Sequence, residues 1–174
     1  MSSFDAVTLK YLDLAVELER NTNEFYETAR EKVKDPNMKR LLTSLTDYET
    51  GHLDSVAKVR DLYAAKQTVE VKAAAASLSV HRPKNPFRGI QQIEKLTRPG
   101  ADILDVFKEA AALEQKAHEF YVEAAEHAQG AFIKAYLRKL AKEETYHKMF
   151  IEAQQKAVCS DGYWLGIDHV ELEP

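Results

Sequence analysis

The segment LERNTNEFYETA at residues 18–29 returns as LEQKAHEFYVEA at residues 113–124. A second match follows each copy, with ETGH at residues 49–52 and ETYH at residues 144–147. Every matched pair is separated by 95 positions, with no insertion between the matches. An internal repeat of this length is a stronger guide to the architecture than any single motif, because both copies are expected to form the same supersecondary unit. The sequence therefore predicts two similar halves.

The first half has the apolar periodicity of two long helices. Apolar side chains recur at three, four or seven residues along residues 4–33, where strand alternation is absent, and an apolar face continues over residues 36–66. Asp35 and Pro36 separate the two stretches, because aspartate caps a helix N-terminus and proline fits its first turn. This half is predicted to be a helical hairpin.

The second half repeats the pattern over residues 101–128 and 131–159. Only Gln129 and Gly130 separate these stretches, and glycine is favoured just beyond a helix C-terminus. Helices of about thirty residues are about 45 Å long. Short loops force antiparallel neighbours, whereas the connection at residues 67–100 is long enough to run the full length of a bundle. We therefore expect an all-α, pseudo-twofold four-helix bundle.

The domain organisation that follows has two hairpins, a crossover and a tail. The hairpins span residues 4–66 and 101–159, the crossover spans residues 67–100, and the C-terminal tail spans residues 160–174. A length of 174 residues fits one such domain.

Composition excludes several classes of protein. Apolar residues make up 45% and charged residues 30%, with six Gly and five Pro, which excludes collagen-like and disordered chains. The net charge is −4 and the basic residues are scattered, so nucleic acid is not an expected partner. No apolar run is long enough to span a membrane, and the N-terminus lacks the pattern of a secretory signal. Cys159 is the only cysteine, so the chain cannot form an internal disulfide. A cytoplasmic location is expected.

Two Glu-x-x-His pairs are the candidate metal-binding motifs. Residues three apart share one helix face, so Glu49 and His52 present a carboxylate and an imidazole toward one point, as do Glu144 and His147. One such pair is common by chance. Two in register, each with a glutamate thirty residues earlier, predict a metal site.

Those earlier glutamates are Glu19 and Glu114, which lie on inward faces together with Tyr26 and Tyr121. Neither glutamate has Lys or Arg three or four residues away, so helical spacing provides no counter-charge. Four buried carboxylates at one level repel one another and are costly to desolvate. Two divalent metal ions would balance them, and four oxygen with two imidazole ligands suit iron or manganese.

This ligand pattern resembles that of the ferritin-like di-iron carboxylate bundles, in which two helices each contribute a Glu and two others each contribute Glu-x-x-His. The repeated LE…EFY and ETxH phrases are similar to those of the rubrerythrin group. The resemblance implies two iron ions, with manganese or zinc as possible substitutes. It also implies Glu49 and Glu144 as bridging candidates, Glu19 and Glu114 as terminal or bridging ligands, and one imidazole per metal from His52 and His147. By the same analogy Tyr26 and Tyr121 donate hydrogen bonds to the ligands.

Two departures from the rubrerythrin pattern matter. One cysteine cannot build the thiolate-iron domain that rubrerythrins usually append, so an external electron-donor protein is expected. Ala117 stands where family members tend to carry a further carboxylate. The leading hypothesis is reduction of hydrogen peroxide. The alternatives are a ferroxidase or iron-binding protein that uses oxygen, and a non-catalytic metal-binding interaction module.

The remaining expectations concern assembly and other polar residues. Apolar side chains in the crossover and between Tyr163 and Leu172 favour a homodimer, either with the second hairpin exchanged between chains or without that exchange. His118 is expected to be a solvated histidine on a helix face. Glu143, next to the inward Glu144, is expected to be solvated as well.

Overall fold

The computed structural model describes residues 5–65 and 103–161, which form four helices. They are α1 (Ala6–Lys32), α2 (Pro36–Ala64), α3 (Ile103–His127) and α4 (Ala131–Asp161). The predicted all-α four-helix architecture is confirmed, and each helix boundary lies within two residues of its expected position. The predicted crossover, and the part of the predicted tail beyond Asp161, lie outside the described residues, as does the predicted dimer interface.

The turn between α1 and α2 is built as expected from its sequence. Pro36 is the first residue of α2, and the Asp35 carboxylate accepts hydrogen bonds from the backbone N–H groups of Asn37 at 2.9 Å and Met38 at 2.8 Å. These bonds satisfy donors that a helix N-terminus leaves without partners. The short turn returns the chain antiparallel along α1.

The turn between α3 and α4 depends on Gly130. Its φ of +92° lies in the left-handed region, which a side chain disfavours. The preceding Gln129 donates its backbone N–H to the Thr8 hydroxyl at 2.7 Å, which ties this turn to the start of α1.

The helices pack in the pairs that the internal repeat predicts. Helix α1 packs along α2, α3 packs along α4, and the two hairpins meet where α1 contacts α3. Side chains of α2 and α4 also meet, for example in the 2.8 Å hydrogen bond between the hydroxyls of Ser55 and Tyr136. No helix in the two described ranges is both long and apolar enough to cross a bilayer.

The core consists of two apolar clusters. The Tyr11 cluster comprises Tyr11, Leu12, Ala15, Leu18, Val56, Ala117, Phe120, Tyr121, Ala124, Ala125, Ala128, Ile133, Leu137, Leu140 and Ala141. The Phe25 cluster comprises Phe25, Tyr26, Ala29, Val33, Met38, Leu41, Leu42, Leu45, Val106, Phe107, Ala110, Leu113, Phe150 and Ile151.

Every helix contributes to both clusters and carries one buried glutamate between its two contributions. In chain order these residues are Glu19 in α1, Glu49 in α2, Glu114 in α3 and Glu144 in α4. A polar layer therefore crosses the bundle between two apolar clusters.

Substitution of Leu42 and of Leu137 tests whether the two clusters contribute equally to stability. The two residues are 95 positions apart, lie in different clusters and are at most 1% exposed. Leu42→Ala and Leu137→Ala should each lower the free energy of unfolding by about 2–5 kcal/mol, measured by urea denaturation at fixed metal content. Val122→Ala, at a largely exposed position of α3, is the control and should change it by less than about 0.5 kcal/mol. A loss close to the control value at either leucine would contradict this packing.

Candidate metal centre

Six ionisable side chains lie in the polar layer. They are Glu19, Glu49, His52, Glu114, Glu144 and His147. The four carboxylates are at most 1% exposed, and both histidines are buried. The structure thus brings together all six residues that the sequence analysis selected as metal ligands.

The two imidazoles face each other across α2 and α4. Their rings are stacked, with centroids 5.1 Å apart and planes inclined by 21°. Both turn the Nδ1 atom toward the carboxylates. His52 Nδ1 lies 3.2 Å from Glu144 Oε1, 3.8 Å from Glu49 Oε2 and 3.9 Å from Glu19 Oε2.

His147 has matching neighbours on the other side of the layer. Its Nδ1 lies 3.1 Å from Glu49 Oε1, 3.5 Å from Glu144 Oε2 and 3.8 Å from Glu114 Oε2. Glu49 and Glu144 therefore direct one oxygen to each imidazole. Glu19 lies close to His52 alone and Glu114 to His147 alone, so the carboxylates divide into a shared pair and an unshared pair.

The layer contains seven buried polar atoms without a hydrogen-bond partner. They are both carboxylate oxygens of Glu49 and of Glu144, Glu114 Oε2, and the Nδ1 atoms of His52 and His147. Although these atoms approach one another, none of the approaches has hydrogen-bond geometry. A buried polar atom without a partner costs about 1–3 kcal/mol, so a layer with seven of them is a favourable environment for a bound cation.

A metal ion fits that space. Four residues, Glu49, His52, Glu144 and His147, each offer one ligand atom, and these four atoms lie within 4.8 Å of one another. Carboxylate oxygen and imidazole nitrogen are ligands for iron, manganese and zinc. The cluster can therefore bind a metal ion.

Two tyrosines hold the unshared carboxylates from the opposite hairpin. The Tyr26 hydroxyl donates to Glu114 Oε1, and the Tyr121 hydroxyl donates to Glu19 Oε1. Each bond leaves the other oxygen of its glutamate on the imidazole side. Burial, together with the nearby carboxylates, raises the pKa of both phenols well above the ordinary value, so they remain protonated donors.

The carboxyl groups differ in pKa. Burial, reinforced by the charge on Glu49, raises the pKa of Glu19 and of Glu114 well above the ordinary value. Burial acts in the same direction on Glu49 and Glu144, but their contacts with the two imidazoles outweigh it and hold their pKa values below the ordinary one. The shared pair is thus ionised.

The histidines supply the balancing charge when no metal is bound. Burial acts to lower the pKa of His147, but Glu114, Glu144 and Glu49 outweigh it and raise the pKa to about 12. Burial also opposes the charging of His52, whose pKa is nevertheless raised by Glu143, Glu144 and Glu49. Two imidazolium groups then neutralise the two ionised carboxylates.

This charge balance predicts how pH affects the metal-free protein. The unfolded chain loses its histidine protons near pH 6.5, whereas the folded layer keeps them to higher pH. Stability therefore falls as pH rises above 6.5, by about 1.4 kcal/mol per pH unit for each imidazole, and the raised pKa values of Glu19 and Glu114 act in the same direction. Chemical denaturation of the metal-free protein from pH 6.5 to about 8.5 measures this slope.

Metal-loaded protein is the control, because metal binding requires deprotonated ligands and strengthens as pH rises. Its stability should rise or stay level over the same range. Metal-free protein whose stability is constant or increases with pH would contradict the predicted charge balance.

Glu143 is the site residue that sequence reasoning missed. It was expected to be solvated, but its Oε2 lies 2.9 Å from His52 Nε2 and its side chain is only 33% exposed. Its pKa is lowered chiefly by this contact with His52. The contact joins α4 to α2, and periodicity along one helix does not encode such a distance.

His118 also differs from its expected solvated state. It is half-buried, and its Nδ1 lies 2.8 Å from the Ala141 carbonyl oxygen and 3.0 Å from the Thr145 hydroxyl. These contacts tie α3 to α4, so the side chain has a structural role within its own hairpin.

Comparison of the chain with protein-family models, curated proteins and solved structures finds no match. The class that the described residues define is a four-helix protein with a buried Glu/His cluster able to bind metal.

Proposed function

We propose that this protein is a rubrerythrin-like di-iron carboxylate enzyme that reduces hydrogen peroxide with electrons from a separate donor. The observation on which the proposal rests is the set of seven buried polar atoms without partners, which come from three of the four helices and face one another. Such a cluster is unfavourable without a cation and well suited to one.

The division of the carboxylates supports two metal ions rather than one. His52 with Glu19 would hold one ion, and His147 with Glu114 would hold the other. Glu49 and Glu144 would bridge the ions, since each directs one oxygen to each imidazole. Two divalent ions balance four carboxylates, so the loaded layer is neutral.

The proposed reaction converts one peroxide molecule, two electrons and two protons into two molecules of water. Iron held by these six residues would supply the two electrons for cleavage of the O–O bond, and oxidation of the external donor would restore them. No step forms a bond between the chain and the substrate.

The chain's own residues position the ligands and keep the site closed. Tyr26 and Tyr121 hold the unshared glutamates by hydrogen bonds from the opposite hairpin. The Tyr11 and Phe25 clusters close the layer on both sides along the bundle. Ligands this deeply buried favour resident ions over iron in transit, which is why peroxide reduction is proposed ahead of iron oxidation and storage.

Metal stoichiometry tests the binding step. Anaerobically prepared protein should hold two iron ions per chain, and the double variant Glu49→Ala/Glu144→Ala should hold none, because both bridging carboxylates are lost. Metal analysis and native mass spectrometry measure both quantities. Glu27→Gln, an exposed position on α1, should retain two ions. One ion per wild-type chain, or full occupancy in the double variant, would refute the two-ion centre.

Stopped-flow oxidation of the di-ferrous protein tests the reaction. Peroxide should oxidise the iron much faster than oxygen does. Tyr26→Phe and Tyr121→Phe should slow that step by about tenfold or more, since each leaves a ligand carboxylate without its donor. Faster reaction with oxygen would instead support a ferroxidase, and inertness toward both oxidants would support a non-catalytic metal-binding module.

A further inference from the structure

The two halves of the polar layer carry different residues at a repeat position whose side chains contact the histidines. Residues 48 and 143 are 95 positions apart and therefore equivalent, but residue 48 is tyrosine and residue 143 is glutamate. Each contacts the histidine of the opposite hairpin, Tyr48 reaching His147 and Glu143 reaching His52. The two imidazoles therefore have different neighbours on the side that faces away from the buried carboxylates.

Glu143 supports His52 through a hydrogen bond. Its Oε2 is 2.9 Å from His52 Nε2, while His52 Nδ1 faces the carboxylates of the layer. Coordination through Nδ1 leaves the proton on Nε2, which then donates to Glu143. A carboxylate in this place fixes the ring orientation and the tautomer and makes the coordinating nitrogen more basic.

Tyr48 supports His147 only by ring packing. The two ring centroids lie 5.3 Å apart at an angle of 42°, and Tyr48 is 44% exposed. Within residues 5–65 and 103–161, every carboxylate within 4.0 Å of His147 approaches its Nδ1 atom. His147 therefore lacks, in this part of the chain, the carboxylate that polarises His52.

We propose that Glu143 makes the two metal positions unequal, so that a divalent ion binds more tightly beside His52 than beside His147. This inference rests on the proposed two-ion centre and assigns Glu143 as a positioning residue. Its charge acts in the same direction as its hydrogen bond, because a further carboxylate near one ion attracts that ion.

Neighbouring cations do not cancel the effect. Lys139 Nζ lies 3.6 Å from Glu143 Oε1, but the lysine is largely exposed and its charge is screened by solvent. The hydrogen-bonding oxygen of Glu143 is Oε2, which faces His52.

Titration of the metal-free full-length protein with Co²⁺, in competition with a chelator of known affinity, measures both positions. Wild-type protein should take up two ions in separate steps. Glu143→Gln should weaken the tighter step by about 10–100-fold and leave the second step nearly unchanged, which is the usual effect of removing such a partner from a ligating histidine. Circular dichroism checks that the variant is folded.

Glu152→Gln is the matched control. It removes the same charge from an exposed position of α4, where Glu152 pairs with Lys148 at 3.6 Å. It should leave both steps unchanged. Equal weakening by Glu143→Gln and Glu152→Gln would overturn the proposal, since general charge would then account for the effect.

Tyr48→Glu is expected to increase metal affinity, and a misfolded variant would not show such an increase. It places a carboxylate beside His147 and should tighten the second step, bringing the two affinities closer together. Two equal steps in wild-type protein would overturn the inequality, and an unchanged second step in Tyr48→Glu would overturn its assignment to a carboxylate beside the histidine. Either result would leave the two-ion centre intact. Absence of cobalt uptake by wild-type protein would overturn the proposed function together with this inference.

Discussion

Four carboxylates that share one buried layer must be neutralised, and the rest of this fold is arranged around that requirement. Ionised carboxylates in a low-dielectric interior repel one another and lose their hydration, so the layer persists only with protons or cations in it. Protons on the two histidines supply that charge in the metal-free layer, and the same side chains would serve as ligands for a bound metal ion. Each helix contributes one glutamate to the layer because each crosses the bundle from one apolar cluster to the other.

The apolar clusters determine what the layer can do. They surround it along the bundle axis, so electrostatic interactions inside it are stronger than they would be in water. Burial of all six side chains would exclude large substrates from any ion held there and would admit only small molecules.

The repeat and the helical periodicity predict the parts of this structure that depend on one helix at a time. The caps at Asp35 and Gly130, the inward face of Glu19 and the shared face of Glu49 and His52 are of this kind. Periodicity alone does not predict which residues of different helices touch, because that depends on the rotation and stagger of the packed helices. The pairing of Glu143 with His52 belongs to this second kind, as does the difference between shared and unshared carboxylates.

The tyrosine bonds have a further consequence. Tyr26 of the first hairpin reaches Glu114 of the second, while Tyr121 of the second reaches Glu19 of the first. This reciprocity is that of an isologous interface, in which two identical subunits satisfy each other across a two-fold axis. Two copies of a single hairpin could complete such a centre, but they would be identical at every position. Joining the hairpins in one chain removes that restriction, so one side of the centre can carry Tyr48 where the other carries Glu143.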